Sequence, residues 1–291
     1  MICTAVIAGL AGCGSPPTAT GDAATQVLVS FYPLQYLAEQ IGGADVSVES
    51  LTPPGAEPHD LELSPTQVAQ IGQADLVIYL SGFQPSVDQA IAERNPTNVI
   101  DAAAFTSLQP LSDESDAPSE GDVLDPHFWL DPTRMEPVAS AIAEQLGGIV
   151  PDNAGDFEAN SGRVVDELTT LDAQFEEGLA QCELRTIVVT HAAFGYLARR
   201  YGLTQISVGG IDPDSEPSPA RIREVVQALE GTGVTTVFFE SLASPDIAEA
   251  LADQADLTPA VLDPLEATAQ GDYMTRMDAN LIALRTALEC S

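Results

Sequence analysis

"NAGDFEANSGRVVDELTTLDAQFEEGLAQ", residues 153–181, reads as one long helix. Val164, Val165, Leu168, Leu171 and Phe175 recur at three- and four-residue spacing and give it an apolar stripe. What flanks it decides the fold. Before it, "QVLVS" (26–30), "VSVESL" (46–51), "ADLVIYL" (74–80) and "NVID" (98–101) read as strands. The helical stretches "FYPLQYLAEQIGG" (31–43) and "PSVDQAIAER" (85–94) separate them. After it, "TIVVT" (186–190), "QISV" (205–208), "TTVFF" (235–239) and "PAVL" (259–262) alternate with four more helical stretches. Strands alternating with helices form parallel sheets wrapped by helices. The expectation is an α/β protein of two βα lobes joined by one long linking helix, with any ligand held in the interlobe cleft. The expected boundaries are 26–150 for the first lobe, 151–181 for the linker and 182–291 for the second lobe.

Two helix starts carry explicit signals. Ser64-Pro65 and Ser218-Pro219 place Ser at the N-cap and Pro at the first helical position. Between residues 112 and 122, "SDESDAPSEGD" is acidic and featureless and reads as an exposed, solvated loop.

Composition narrows the function classes. Among 291 residues, 45% are hydrophobic and 19% charged, which suits a globular chain with ample core. The net charge of -34 repels phosphate backbones, so nucleic acid is excluded as a partner, and local cations are concentrated instead.

Residues 1–25 read as an export signal and tether. The apolar run is too short to span a bilayer. "LAGC" (10–13) resembles a bacterial lipobox, in which Cys13 would carry lipid on the outer face of the cytoplasmic membrane. Cys3 would then be cleaved away. The remaining pair, Cys182 and Cys290, is expected to form a disulfide in an exported protein.

The chain has only three histidines, His59, His127 and His191. Each sits in a loop or just past a strand, and His191 directly follows "TIVVT" at its carboxyl end. Asp263 directly follows "PAVL" at another carboxyl end. Two of the four fall in each half, so an interlobe cleft can collect them all. Neutral imidazole and carboxylate are the common N/O ligands of a divalent transition metal, and three His with one carboxylate make a tetrahedral set. Pro58, Pro126 and Pro264 stiffen the ligand loops.

Five ordered stretches then match one family: "PPGAEPHDLELSPTQ" (53–67), "DPHFWLDP" (125–132), "VVTHAAFGYLARRYGL" (188–203), "FFESLASP" (238–245) and "LDPLE" (262–266). The chain resembles, from about residue 26 onward, the metal-binding solute-binding proteins of bacterial ABC transporters, the zinc/manganese group with a long linking helix. The resemblance implies His59, His127, His191 and Asp263 as metal ligands, Zn(II) or Mn(II) as cargo, delivery to an ABC permease, a monomer, and little hinge bending. Histidine at 191, where manganese receptors of the group tend to carry Glu, points toward zinc, whereas the acidic loop lacks the histidines that zinc receptors often carry. Family members have also been proposed as adhesins.

Three further residues stay open at this level. Glu240, ending "TTVFF", reads either as a partner orienting a ligand histidine or as a helix-entry acid. Glu57 is a weaker candidate for a coordinating or orienting oxygen. Trp129 reads as packing beside the site. A hydrolase with an open three-His metal is the alternative of another class, and it lacks an H-E-x-x-H motif here.

Overall fold

The computed structural model describes residues 24–111, 124–213, 215, 217–240, 245–267 and 270–291. Cys13, residues 1–23 of the tether segment and the whole acidic loop 112–122 lie outside those residues.

The first lobe is a four-stranded parallel sheet. Its strands are β1 (Thr25–Val29), β2 (Val46–Ser50), β3 (Leu76–Tyr79) and β4 (Val99–Asp101), in the order β2-β1-β3-β4. The crossovers carry α1 (Tyr32–Gly42), α2 (Pro65–Ile71) and α3 (Pro85–Arg94). The short α4 (Ala103–Thr106) follows, and a two-stranded antiparallel ribbon pairs β5 (Gln109–Pro110) with β6 (Leu124–Asp125). Helices α5 (Pro132–Ile149) and α6 (Ala154–Gly178) leave this lobe as an antiparallel pair, and α6 is the linking helix. The second lobe holds β7 (Thr186–Val189), β8 (Thr204–Ser207), β9 (Thr236–Phe239) and β10 (Thr258–Val261), ordered β10-β9-β7-β8 and again parallel. Its helices are α7 (Gly195–Arg200), α8 (Pro219–Leu229), α9 (Asp246–Ala255) and α10 (Tyr273–Ala287).

Local chemistry explains the helix starts. Ser64 and Gln67 form a reciprocal capping box at α2, and the Ser218 hydroxyl accepts from the Arg221 amide at α8. Asp131 caps α5 by accepting from the Thr133 amide. On α6 the stripe residues Val164, Leu168, Leu171 and Phe175 are buried, joined by Phe157, while Val165 is half-buried at the edge. Each buried large apolar side chain stabilises by about 1.5–3 kcal/mol. Asp172, on the same helix, pairs with Arg200 Nε at 2.9 Å and accepts from the Tyr201 hydroxyl at 3.0 Å, tying the linker to the second lobe.

The main apolar core runs across the linker without a break. Leu37 and Ile78 of the first lobe, Leu168 and Phe175 of α6, and Val189, Tyr196 and Leu284 of the second lobe belong to one buried cluster. Wide opening of the lobes would expose that shared core at about 25 cal/mol per Å² of apolar area, so the architecture resists large hinge motion.

Cys182 and Cys290 are joined by a disulfide spanning 108 residues. It pins the end of α10 to the segment entering β7. Constraint of the unfolded chain by so long a loop stabilises by about 4–5 kcal/mol. Replacing both cysteines by Ser should therefore cost up to that amount, read as a lower urea midpoint. A midpoint matching the wild type would show that the crosslink adds nothing.

Candidate metal centre

The carboxyl ends of the two sheets face a common cleft, and the site residues come from the loops leaving them. His59 follows β2, in a loop that ends at the α2 capping box. Its backbone amide donates to Glu57 Oε1 at 2.9 Å. His127 follows β6 and is fully buried. His191 lies two residues past β7 and is 1% exposed. The three rings stand close together, with centroid separations of 5.5 Å for His59–His127, 5.5 Å for His59–His191 and 4.9 Å for His127–His191.

The carboxylate that meets them is Glu266. Its Oε1 lies 2.8 Å from His127 Nε2, 3.4 Å from His59 Nε2 and 4.0 Å from His191 Nε2. One ligand atom from each of the four residues falls within 4.8 Å of all the others. A tetrahedral ion with ~2.0–2.1 Å bonds separates its ligands by roughly 3.3 Å, so small side-chain shifts fit this set around one ion. Within this four-residue cluster, His191 Nε2 and Glu266 Oε2 are buried without a hydrogen-bond partner. Orphaned buried polar atoms are costly, and a cation between them would satisfy both.

The structure does not bring Asp263, the expected fourth ligand, to the imidazoles. Its carboxylate is taken by Arg276 of α10, at 2.8 Å from Nε and 2.7 Å from Nη2. Its backbone amide and carbonyl are both held by Asn280 of the same helix. With Asp263 anchored, the chain turns through Pro264 and Leu265, the latter in left-handed backbone geometry at φ 60°. Trp129 grips that turn from the first lobe, its indole donating to the Pro264 carbonyl at 2.7 Å. Glu266 emerges from the turn into the cleft. Sequence reading passed over it although it ends the quoted "LDPLE". The signal that could have found it is Arg276, which competes for the nearer carboxylate.

Two carboxylates hold the far sides of imidazoles. Glu240 Oε1 makes a short contact with His191 Nδ1, which is the orienting geometry among the two readings of Glu240. Asp125 Oδ1 faces His127 Nδ1 at 2.8 Å and accepts from the His127 amide at 3.0 Å. Asp125 was not singled out in sequence, although it opens the "DPH" motif. Glu57, Glu240 and Glu266 also approach one another within 4.8 Å, and the half-buried Glu57 groups with these two carboxylates and not with the imidazoles.

Burial alone would push the His127 imidazole down. Hydrogen bonds donated by the imidazole to Asp125 and Glu266, together with the charges of those carboxylates, outweigh it and carry the group up to about 10. Burial would likewise raise Glu266, but the charge of His191 and the hydrogen bonds of His127 and His59 hold it well below the usual carboxylate range. The site is therefore an anionic carboxylate set among imidazoles, a donor group for a divalent transition metal.

Comparison with known proteins agrees with that chemistry. The family described as "ZnuA: Zinc-uptake complex component A periplasmic" matches residues 27–287. The zinc-binding lipoprotein AdcA of Streptococcus pneumoniae (strain ATCC BAA-255 / R6) is 32% identical over 292 residues, covering 95% of this chain and 58% of AdcA. The high-affinity zinc uptake system protein ZnuA of Bacillus subtilis (strain 168) is 29% identical over 299 residues, covering 96% and 93%. Among solved structures, the Zn(II)-bound ZnuA-like domain of S. pneumoniae AdcA superposes with TM-score 0.77 at 30% identity, covering 92% of this chain and 100% of that domain. The laminin binding protein Lmb of Streptococcus agalactiae, described as having adhesin and metal transporting activity, gives TM-score 0.82 at 30% identity, covering 91% and 100%. Both solved structures share the fold described above. The chain belongs to the zinc-uptake component A family. It spans 58% of the length of the AdcA it matches.

Proposed function

We propose that this protein captures Zn(II) outside the cytoplasm in its interlobe cleft and hands it to an ABC permease for uptake. His59, His127, His191 and Glu266 are the ligands in this reading, with Glu240 orienting His191. The observation that carries it is the convergence of three imidazole Nε2 atoms on one buried carboxylate oxygen. A set of three nitrogens and one oxygen suits zinc over manganese. Four protein donors close the coordination shell, which favours capture over a hydrolase that needs an open position for water. The net charge of -34 raises the local concentration of cations around the protein. Membrane attachment through lipid on Cys13 is part of the same reading and is supported by the "LAGC" motif. No helix among the described residues is long and apolar enough to cross a membrane.

The test is a competition titration of metal-stripped protein with Zn(II) and Mn(II). Wild type should bind one zinc tightly and manganese far more weakly. His191→Glu should lose zinc affinity by about 10–100-fold and narrow the gap to manganese, since it replaces a nitrogen by an oxygen donor. Wild-type protein that binds neither metal, or manganese ahead of zinc, would overturn the zinc reading.

A further inference from the structure

Asp125 sits where the two lobes and the metal centre meet. It ends β6 and is fully buried. Its Oδ1 is committed to His127, accepting from the backbone amide at 3.0 Å and facing Nδ1 at 2.8 Å. With Nδ1 held by Asp125, Nε2 is the nitrogen aimed into the site, 2.8 Å from Glu266 Oε1. Orienting partners of this kind fix the tautomer and ring direction of a ligand histidine.

What sets Asp125 apart from Glu240 is the origin of its surroundings. Glu240 and His191 belong to the same lobe. Asp125 and His127 belong to the first lobe, yet the seat of Asp125 is built by α7 of the second. A Cβ at Gly195, the first residue of α7, would lie 2.7 Å from Asp125 Oδ2. One turn on, Arg199 Nη2 lies 3.7 Å from the same oxygen. The Tyr196 hydroxyl donates to the Asp125 carbonyl at 3.0 Å and accepts from the Gln109 amide at 2.8 Å. The Tyr196 ring is flanked by the guanidinium groups of Arg134 and Arg199, each 4.7 Å from its centroid. Asp125 Oδ2 itself has no hydrogen-bond partner. Close packing against Gly195 and the charge of Arg199 hold it in place.

We infer that Asp125 is a positioning residue through which the docking of α7 onto the first lobe sets the orientation of His127 for metal. The inference rests on the reading of His127 as a zinc ligand. Seating α7 presses the carboxylate into its slot and points Nε2 at the ion. Lifting α7 away frees Oδ2, lets the carboxylate turn and slackens the ring. A partner that separates the lobes by a small amount thus loosens a ligand of the first lobe by moving a helix of the second.

The decisive variant is Gly195→Ala. Alanine at a helical position with ordinary backbone geometry is normally neutral or stabilising. Here the added methyl meets the end of a short, buried side chain whose other oxygen is already fixed. Zinc affinity should fall about 10–100-fold, and the visible absorption spectrum of the Co(II)-loaded protein should change. The unfolding midpoint of the metal-free protein should fall only modestly, because the displaced atom is a side-chain end and not backbone. Asp125→Asn keeps an acceptor for His127 and should retain more affinity than Asp125→Ala. Asp125→Ala added to Gly195→Ala should lower affinity less than it does alone, because both act through one contact. A Gly195→Ala protein with wild-type zinc affinity and an unchanged Co(II) spectrum overturns the coupling. An Asp125→Ala protein that behaves the same way overturns the positioning role. Wild-type protein that takes up neither Zn(II) nor Co(II) overturns the metal reading, and this inference falls with it.

Discussion

Glu266→Gln is expected to weaken zinc binding by on the order of 100-fold or more, while Asp263→Asn leaves it within about tenfold. The first figure exceeds the 10–100-fold typical of losing an orienting partner, because a ligand charge is lost outright. Glu266 is 3% exposed, and its Oε1 is the atom on which the three imidazole Nε2 atoms converge. Glutamine keeps the shape but removes the charge, leaving a dication in a low-dielectric site without an anionic ligand. Asp263 does other work. Its carboxylate is bonded to Arg276, which is 6% exposed, and it also accepts from the Leu265 amide at 2.8 Å. Asparagine there breaks a largely buried ion pair, and stability should fall by about 2–4 kcal/mol. The two variants should therefore separate. One loses metal with its unfolding midpoint preserved; the other loses stability with its metal retained. Chelator competition and urea unfolding on the same preparations decide it. If Asp263→Asn loses zinc and Glu266→Gln keeps it, the four-donor set around Glu266 is wrong and Asp263 is the ligand after all.

That contrast marks where the sequence stops being legible. The linking helix and the two alternating halves follow from local periodicity, and the structure has both lobes as parallel sheets about α6. The histidines were readable because the chain has only three and all lie in comparable loops. The choice between Asp263 and Glu266 was not readable from position at a strand end. It depends on Arg276 and Asn280, thirteen and seventeen residues further on, which capture Asp263 by side chain and backbone. It depends also on the left-handed turn at Leu265, which swings Glu266 inward. Asp125 escaped for a related reason. Beside a histidine in sequence it is an ordinary acid in a loop. Only the approach of Gly195, seventy residues away along the chain, makes it part of a buried junction. Spacing along the chain reports local geometry well and says little about which distant cation takes a given carboxylate.

Zinc affinity is also expected to rise about tenfold per pH unit between pH 7 and 9. The sign follows from His127. Asp125 and Glu266, overcoming the effect of burial, hold a proton on that imidazole up to about 10 in the metal-free protein. A protonated imidazole cannot ligate, so the ion must displace the proton. Below the raised value each unit of falling pH makes that displacement about tenfold harder, and the affinity drops accordingly. Glu266 adds nothing to the slope in this range, because the neighbouring imidazoles keep it ionised far below it. Calorimetry at pH 8 in buffers of differing ionisation enthalpy counts the protons directly, and about one should be released per zinc bound. The same coupling gives acid a role in unloading, since a proton returned to His127 competes with the metal for Nε2. A count near zero, with affinity flat from pH 7 to 9, would mean that His127 meets the ion already neutral. The clamp formed by Asp125 and Glu266 would then orient the ring without storing a proton on it.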